Sequence, residues 1–258
     1  MTDMRPTACL LVIGDEVLSG RTRDANIQFL GLRLNELGIP LREVRVIPDD
    51  RSVIVATVND VRARFTYVFT TGGIGPTHDD ITSECVAEAF GVPWVVHPEA
   101  YAEMAADYAR RSPPVEFNAA RQRMATVPEG ASLIRNAVSV APGFRIGNVF
   151  VMAGVPKVMQ AMFEALAPTL EGGVPTVSRA VHAVGVFEGT IAEPLGAIQE
   201  QSPGVSLGSY PYYRASGNGV AIVARGTDGA AVEAVILRVA EMLRAEGAEP
   251  VLGEPGAG

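Results

Sequence analysis

Apolar residues in this chain follow two alternating rhythms. Short runs, "ACLLVI" (Ala8–Ile13), "LREVRVI" (Leu41–Ile47) and "YVFTT" (Tyr67–Thr71), read as strands. The first is apolar throughout, as in a strand covered on both faces of a parallel sheet. Between these runs the spacing is helical. Ile27, Leu30, Leu34 and Leu37 form one stripe on a helix over 26–37, which Gly38 ends. Asp50 is placed to cap a second helix over 51–65. Asp80 is placed to cap a third across "ITSECVAEAF", which Gly91 ends. Strand and helix alternating in this order predict an α/β fold with a parallel sheet and right-handed crossovers.

The next stretch is less regular. Residues 98–111 read as a helix that "SPP" breaks, and 117–124 as a short helix. "ASLIRN" and "NVFVMAG" read as strands rejoining the sheet, and Pro156 opens a helix through Leu170. At "EGGVPT" the pattern restarts with strand "VSRAVHAVGV", a helix near 191–201, strands "VSLGSY" and "GVAIVARG", and a long helix over 228–246. We therefore expect a large α/β domain over 1–172 and a small α+β module over 176–252. The tail "GEPGAG" is expected to fray.

Composition narrows the classes. With 258 residues, 48% of them hydrophobic, the chain can bury a sizeable core. A net charge of -8 argues against a nucleic-acid scaffold. The two cysteines, Cys9 and Cys85, lie in no CxxC motif and predict neither a zinc site nor a disulfide framework. No stretch resembles a signal peptide or is long enough to span a bilayer, so we expect a cytoplasmic protein.

The candidate chemistry gathers at one edge. In a parallel sheet the strand-to-helix loops emerge together, and ligands bind there. Those loops are "GDEVLSG", "PDD" and "TGGIGPTHDD", bringing Asp15, Glu16, Asp49, Asp50, Asp79 and Asp80. Clustered acids repel one another unless a cation sits among them, and Mg²⁺ with a phosphorylated ligand answers that need. Gly72, Gly73 and Gly75 let backbone N–H groups approach an anion, at the positive end of the helix that follows. Thr71, Thr77, Thr82 and Ser19 add hydroxyls. The plainer alternative is a tight glycine–proline turn with Asp80 as a helix cap only. The loop is neither a Walker A loop nor a dinucleotide fingerprint, because the lysine of the one and the spacing of the other are missing.

"IGDEVLSG", "IPDD", "TTGGIGPTHDDIT", "NAVSVAPGF" and "AGVPKVM" stand in the order and spacing of the molybdopterin-binding fold. The chain resembles the N-terminal part of the competence/damage-inducible (CinA) family, and is similar to the corresponding domain of eukaryotic-type FAD synthases. The resemblance implies a three-layer, mostly parallel α/β domain with a small α+β C-terminal module, acting on a molybdopterin or nucleotide ligand with Mg²⁺. It assigns metal-holding and catalytic roles to Asp49 and Asp80. Asp79 is a further candidate metal ligand, and Glu16 or Asp79 is a candidate base. Ligand contacts map to Ser19, Gly20, Thr71, Gly72, Gly73, Gly75, Pro76, Thr77, Thr82, Gly154 and Lys157, with Pro156 beside them. Family members of this group resemble Mg²⁺-assisted hydrolases of ADP-ribose-type pyrophosphates. The alternatives are a molybdopterin adenylyltransferase of molybdenum cofactor biosynthesis and a binding module without turnover. A homo-oligomer, dimer or trimer, is implied as well. Two departures stand out: Ala153 precedes Gly154 where the superfamily has proline, and Arg123 replaces a lysine. The chain ends at Gly258 with no amidase segment, so nicotinamide-mononucleotide deamidase activity is not expected. His78 and Lys157 are weighed between solvation and ligand contact. Tyr210, Tyr212 and Tyr213 are weighed between stacking on a ligand ring and packing.

Overall fold

The computed structural model describes residues 6–214 and 217–256. Its elements run β1 (Ala8–Ile13), α1 (Asp15–Leu18), α2 (Asn26–Glu36), β2 (Leu41–Ile47), α3 (Arg51–Arg64), β3 (Tyr67–Thr71), α4 (Thr82–Phe90), β4 (Trp94–Val96), α5 (Pro98–Arg110), α6 (Ala119–Arg123), β5 (Thr126–Pro128), β6 (Ser132–Ile134), β7 (Gly143–Ile146), β8 (Val149–Met152) and α7 (Pro156–Leu166). They continue with β9 (Val177–Val184), α8 (Glu188–Glu200), β10 (Val205–Tyr212), β11 (Gly219–Gly226), α9 (Gly229–Ala245) and β12 (Val251–Leu252).

The main sheet has the order β2-β1-β3-β8-β7-β6. The pairs from β2 to β8 are parallel, and β8, β7 and β6 pair antiparallel. β1 lies between β2 and β3, and every residue is buried. Side chains alternate across a strand. Cys9, Leu11 and Ile13 therefore face Ile54, Val58, Val86 and Cys85 of α3 and α4. Ala8, Leu10 and Val12 face Leu30, Leu34, Met159 and Phe163 of α2 and α7. This is the expected three-layer α/β arrangement. Burial pushes both thiols, Cys9 and Cys85, up to about 11, so they are inert core residues.

The differences from expectation are local. β7 lies inside "APGFRIG", where glycine and proline hide the strand pattern. The antiparallel β4–β5 pair was also unexpected, because each strand has only three residues and α5 and α6 lie between them. The loop after β1 contains the short helix α1. The helix expected over 117–124 is confined to Ala119–Arg123, opened by Asn118, whose side chain accepts from the Arg121 N–H at 3.1 Å.

By its internal contacts the chain divides into Met1–Gly173 and Val174–Gly258. The second unit is an antiparallel sheet of order β10-β11-β9-β12. α8 and α9 cover one face, with Val181, Ile222, Ile236 and Val239 in its core. Among the described residues no helix is long and apolar enough to cross a membrane.

Candidate functional site

Four parallel strands, β1, β2, β3 and β8, end at one edge, and the helices that follow them start there. α2, α3, α4 and α7 therefore aim their positive ends at the space above the sheet. The loops between strand and helix line that space.

Glycine is required twice in the β3 loop. Gly72 has φ of 104°, and a Cβ on it would lie 2.0 Å from the Ile13 carbonyl oxygen. Gly73 has φ of 65°, and a Cβ there would meet Thr82 Oγ1 at 2.1 Å. The Gly72 N–H is not free for an anion, contrary to expectation: it donates to the Met152 carbonyl at 3.2 Å and continues the β3–β8 ladder. Gly72 allows close approach of β1 and β8. Gly154 touches it from the β8 side, with Gly72 Cα only 3.3 Å from where a Gly154 Cβ would be.

Asp80 also differs from its expected role. The residue preceding α4 is Ile81, and no side chain caps the helix. The Asp80 carboxylate turns back into its own loop. Oδ2 accepts from the Thr77 N–H at 2.8 Å and from Thr77 Oγ1 at 2.5 Å. A side chain that bonds back three residues to its own loop satisfies that loop locally and competes with capping. Arg123 braces the same loop, donating from Nη2 to the Asp80 carbonyl at 3.3 Å, with its guanidinium 5.2 Å from the Trp94 ring centroid.

The acids of the three loops sense one another. Asp49 Oδ2 accepts from the Asp15 N–H at 3.0 Å and ties the β2 loop to the β1 loop. Burial is the largest cause raising the Asp49 carboxyl above its ordinary value. The Asp15 N–H opposes it, and the charges of Asp15, Glu16 and Asp79 add to the rise. Asp79 moves the other way, held low by the Thr77 hydroxyl and then by its own amide. A hydroxyl has one proton, and the 2.5 Å contact commits it to Asp80, so the amide is the steadier hold on Asp79. Asp50 is spent on structure: it caps α3 through the Val53 N–H at 3.0 Å.

The remaining expected residues fall around this edge. Ser19 Oγ donates to the Glu16 carbonyl at 3.3 Å, and Gly20 takes φ of 73° in the β1 loop. Pro76 and Thr77 are exposed on the β3 loop, and Lys157 is exposed in the first turn of α7 beside Pro156. Thr71 and Thr82 are buried, and neither hydroxyl has a partner. The His78 side chain is 99% exposed, 3.9 Å from Asp79. In the C-terminal unit, Tyr210 and Tyr213 are exposed, and Arg225 and Arg214 stand over the rings of Tyr210 and Tyr212.

One residue was missed. Asn26, the first residue of α2, is 3% exposed; its Nδ2 donates to the Gly154 carbonyl at 2.9 Å. The available signal was "DAN" before an apolar stripe. Asp24 accepts from the Ile27 N–H at 2.8 Å and starts the helix, leaving Asn26 with no capping role.

No group of three or more His, Cys, Asp or Glu side chains among the described residues is gathered as a metal site. Mg²⁺ does not need one, because it binds through one or two carboxylates and completes its shell with water and phosphate. Asp49, whose carboxyl the charge of Asp79 helps to raise, and Asp79 are the carboxylates that would meet that requirement.

The fold is that of a mixed α/β protein with a mostly parallel sheet whose strand-end loops form a ligand-binding type of edge. Residues 9–172 match the family described as a probable molybdopterin binding domain, and the chain belongs to that family as a CinA-like member. Residues 175–251 match the middle domain of FAD synthase. A protein of Archaeoglobus fulgidus is 33% identical over 202 residues, 78% of this chain and 84% of its own length. A CinA-like protein of Gloeobacter violaceus is 36% identical over 254 residues, 93% of this chain, which spans 58% of that protein. The crystal structure of the protein CinA of unknown function from Thermoplasma acidophilum superposes with a TM-score of 0.58 at 30% identity, over 64% of this chain and 98% of that one.

Proposed function

We propose that the α/β unit is a Mg²⁺-dependent hydrolase of a nucleotide-type pyrophosphate such as ADP-ribose. The observation that carries this reading is that Asp49 is tied to the β1 loop through the Asp15 N–H at 3.0 Å, where burial and the acids of both neighbouring loops push its carboxyl up. Such a cluster calls for a cation, and a cation beside helix N-termini calls for phosphate. Asp49 and Asp79 would hold Mg²⁺, which when bound supplies neutralising charge at the two phosphates. Asp79, kept ionised, serves as a ligand better than as a base, which leaves Glu16 to take the proton of the attacking water. The water oxygen bonds to one phosphorus, the bridging P–O bond breaks, and the leaving phosphate keeps that electron pair. The backbone from Gly73 to Gly75, beside the start of α4 at Thr82, faces the developing charge. Asp80 acts at one remove by fixing the loop through Thr77.

A second reading, adenylyl transfer to molybdopterin, is favoured by the family match over 9–172. Incubating the protein with Mg²⁺ and either ADP-ribose or ATP plus molybdopterin, then weighing products by mass spectrometry, separates the two. AMP and ribose 5-phosphate from the first mixture support hydrolysis. Adenylylated pterin from the second supports transfer. Binding without product in either makes the unit a carrier.

A further inference from the structure

We infer that the cleft between the start of α2 and the loop after β8 receives ribose hydroxyls of the ligand, with Asn26 Oδ1 and Thr71 Oγ1 as acceptors. This rests on the nucleotide reading above. Asn26 Nδ2 donates to the Gly154 carbonyl at 2.9 Å. A carbonyl can only accept, so that bond fixes which way the amide faces. The other end, Oδ1, is buried and meets no donor. Thr71, the last residue of β3, is 1% exposed, and its Oγ1 likewise has no partner. Buried polar atoms are nearly always satisfied, and two exceptions on the wall of one cleft need a cause.

That cleft has a volume of about 50 Å³, and Glu16, Arg23, Asp24 and Gly72 also line it. Its inner polar groups are chiefly acceptors: two carboxylates, an amide oxygen and a hydroxyl. The carboxylates of Glu16 and Asp24 offset the positive ends of α2 and α7 and the Arg23 guanidinium at the rim. A neutral group rich in O–H donors fits, and carboxylates and amide oxygens are ordinary partners of ribose hydroxyls. Val12, Val17 and Pro156 give the sugar ring an apolar wall. The phosphates then lie outward, toward Lys157 and the β3 loop. The volume holds little more than a few water molecules. Ribose therefore enters by displacing the exposed rim of Thr22, Arg23 and Ala25.

The test is calorimetric titration of the full chain with ADP and with 2′,3′-dideoxy-ADP in Mg²⁺, using wild type, Thr71→Val and Asn26→Leu, with ADP-ribose as a control ligand. Wild type is expected to bind the dideoxy analogue about tenfold more weakly, the effect of one or two lost buried hydrogen bonds. Thr71→Val is expected to bind ADP several-fold more weakly and to discriminate less between the two. Its melting temperature should hold or rise, because an unpartnered hydroxyl becomes a methyl. Asn26→Leu should lose discrimination as well; if breaking the bond to Gly154 unfolds it, Thr71→Val decides alone. Equal binding of both nucleotides by wild type, or undiminished discrimination in Thr71→Val, overturns the ribose placement and leaves the nucleotide reading standing. Failure of wild type to bind ADP or ADP-ribose overturns the nucleotide reading, and this inference with it.

Discussion

The α/β unit holds two populations of carboxylates in opposite circumstances. On its flanks most acids are paired with arginine. Glu36 and Glu164 meet Arg33, Glu43 and Asp60 share Arg45 and Arg64, Glu84 and Glu88 meet Arg51, and Glu99 and Glu103 meet Arg135. At the strand ends, Asp15, Glu16 and Asp49 form no ion pair among the described residues, and Asp79 has only His78 nearby, at 3.9 Å. The consequence is visible in their protonation. Arginine holds Glu43, Asp60, Glu103 and Glu164 low, whereas burial and neighbouring acids push Asp49 up. Exposed pairs contribute little to stability. Coupled acids without a counter-charge oppose folding, and a ligand that brings a cation relieves them.

The largest effect that would break this contrast is at Asp49. Asp49→Asn keeps an oxygen for the Asp15 N–H and removes the charge. Turnover of ADP-ribose is expected to fall by at least about tenfold, because a charged group at a metal site contributes several kcal/mol to transition-state stabilisation. Stability should move the other way. The folded carboxyl lies above its ordinary 3.8, so below that pH both states are protonated and the residue costs nothing. The cost develops as pH rises through the folded value. Thermal melts should therefore show Asn more stable than wild type at pH 7 and equal to it at pH 3. Equal melting at both pH values would mean that the strand-end acids are no more strained than the flank acids.

A smaller effect separates the two neighbouring aspartates. Asp80 binds Thr77 twice, so Asp80→Asn and Thr77→Val should resemble each other. Each is expected to lose roughly the worth of one hydrogen bond to a charged group, about tenfold in turnover, with the Mg²⁺ requirement unchanged. Asp79→Asn should instead raise the Mg²⁺ concentration needed for half-maximal rate. If Asp80→Asn raises that requirement and Asp79→Asn does not, the roles of holding the cation and bracing the loop are the reverse of those proposed.

The fold was legible where burial sets the pattern. β1 is apolar at every position because helices cover both faces, and α2 and α3 show one-sided stripes. β7 was not legible, since four residues framed by proline and glycine carry too little periodicity. At the site, the sequence located the acids on the correct loops but not their bonds. Asp80 before an apolar helix reads as a cap, yet Thr77, three residues earlier, offers two donors and wins it. Gly72 reads as an anion contact, but registry between β3 and β8 takes its N–H. Asn26 meets Gly154 across 128 positions, a distance no local pattern encodes.

Arg51 is expected to give the smallest effect and draws the boundary between the two populations. It is the cation adjacent in sequence to Asp49 and Asp50, yet its guanidinium turns to α4, reaching Glu84 at 2.6 Å and Glu88 at 2.8 Å. These pairs also offset the cost of a positive side chain at the start of a helix. The Arg51 side chain is 48% exposed, so Arg51→Ala is expected to cost only about 0.5–1 kcal/mol at low salt. In 1 M salt, where the screening length is about 3 Å, most of that difference should vanish. Turnover and the Mg²⁺ requirement should match wild type, because the guanidinium does not serve the strand-end acids. A higher or lower Mg²⁺ requirement in Arg51→Ala would show that Arg51 does balance Asp49 in solution. The loop acids would then be partly paired, and their demand for an external cation correspondingly weaker.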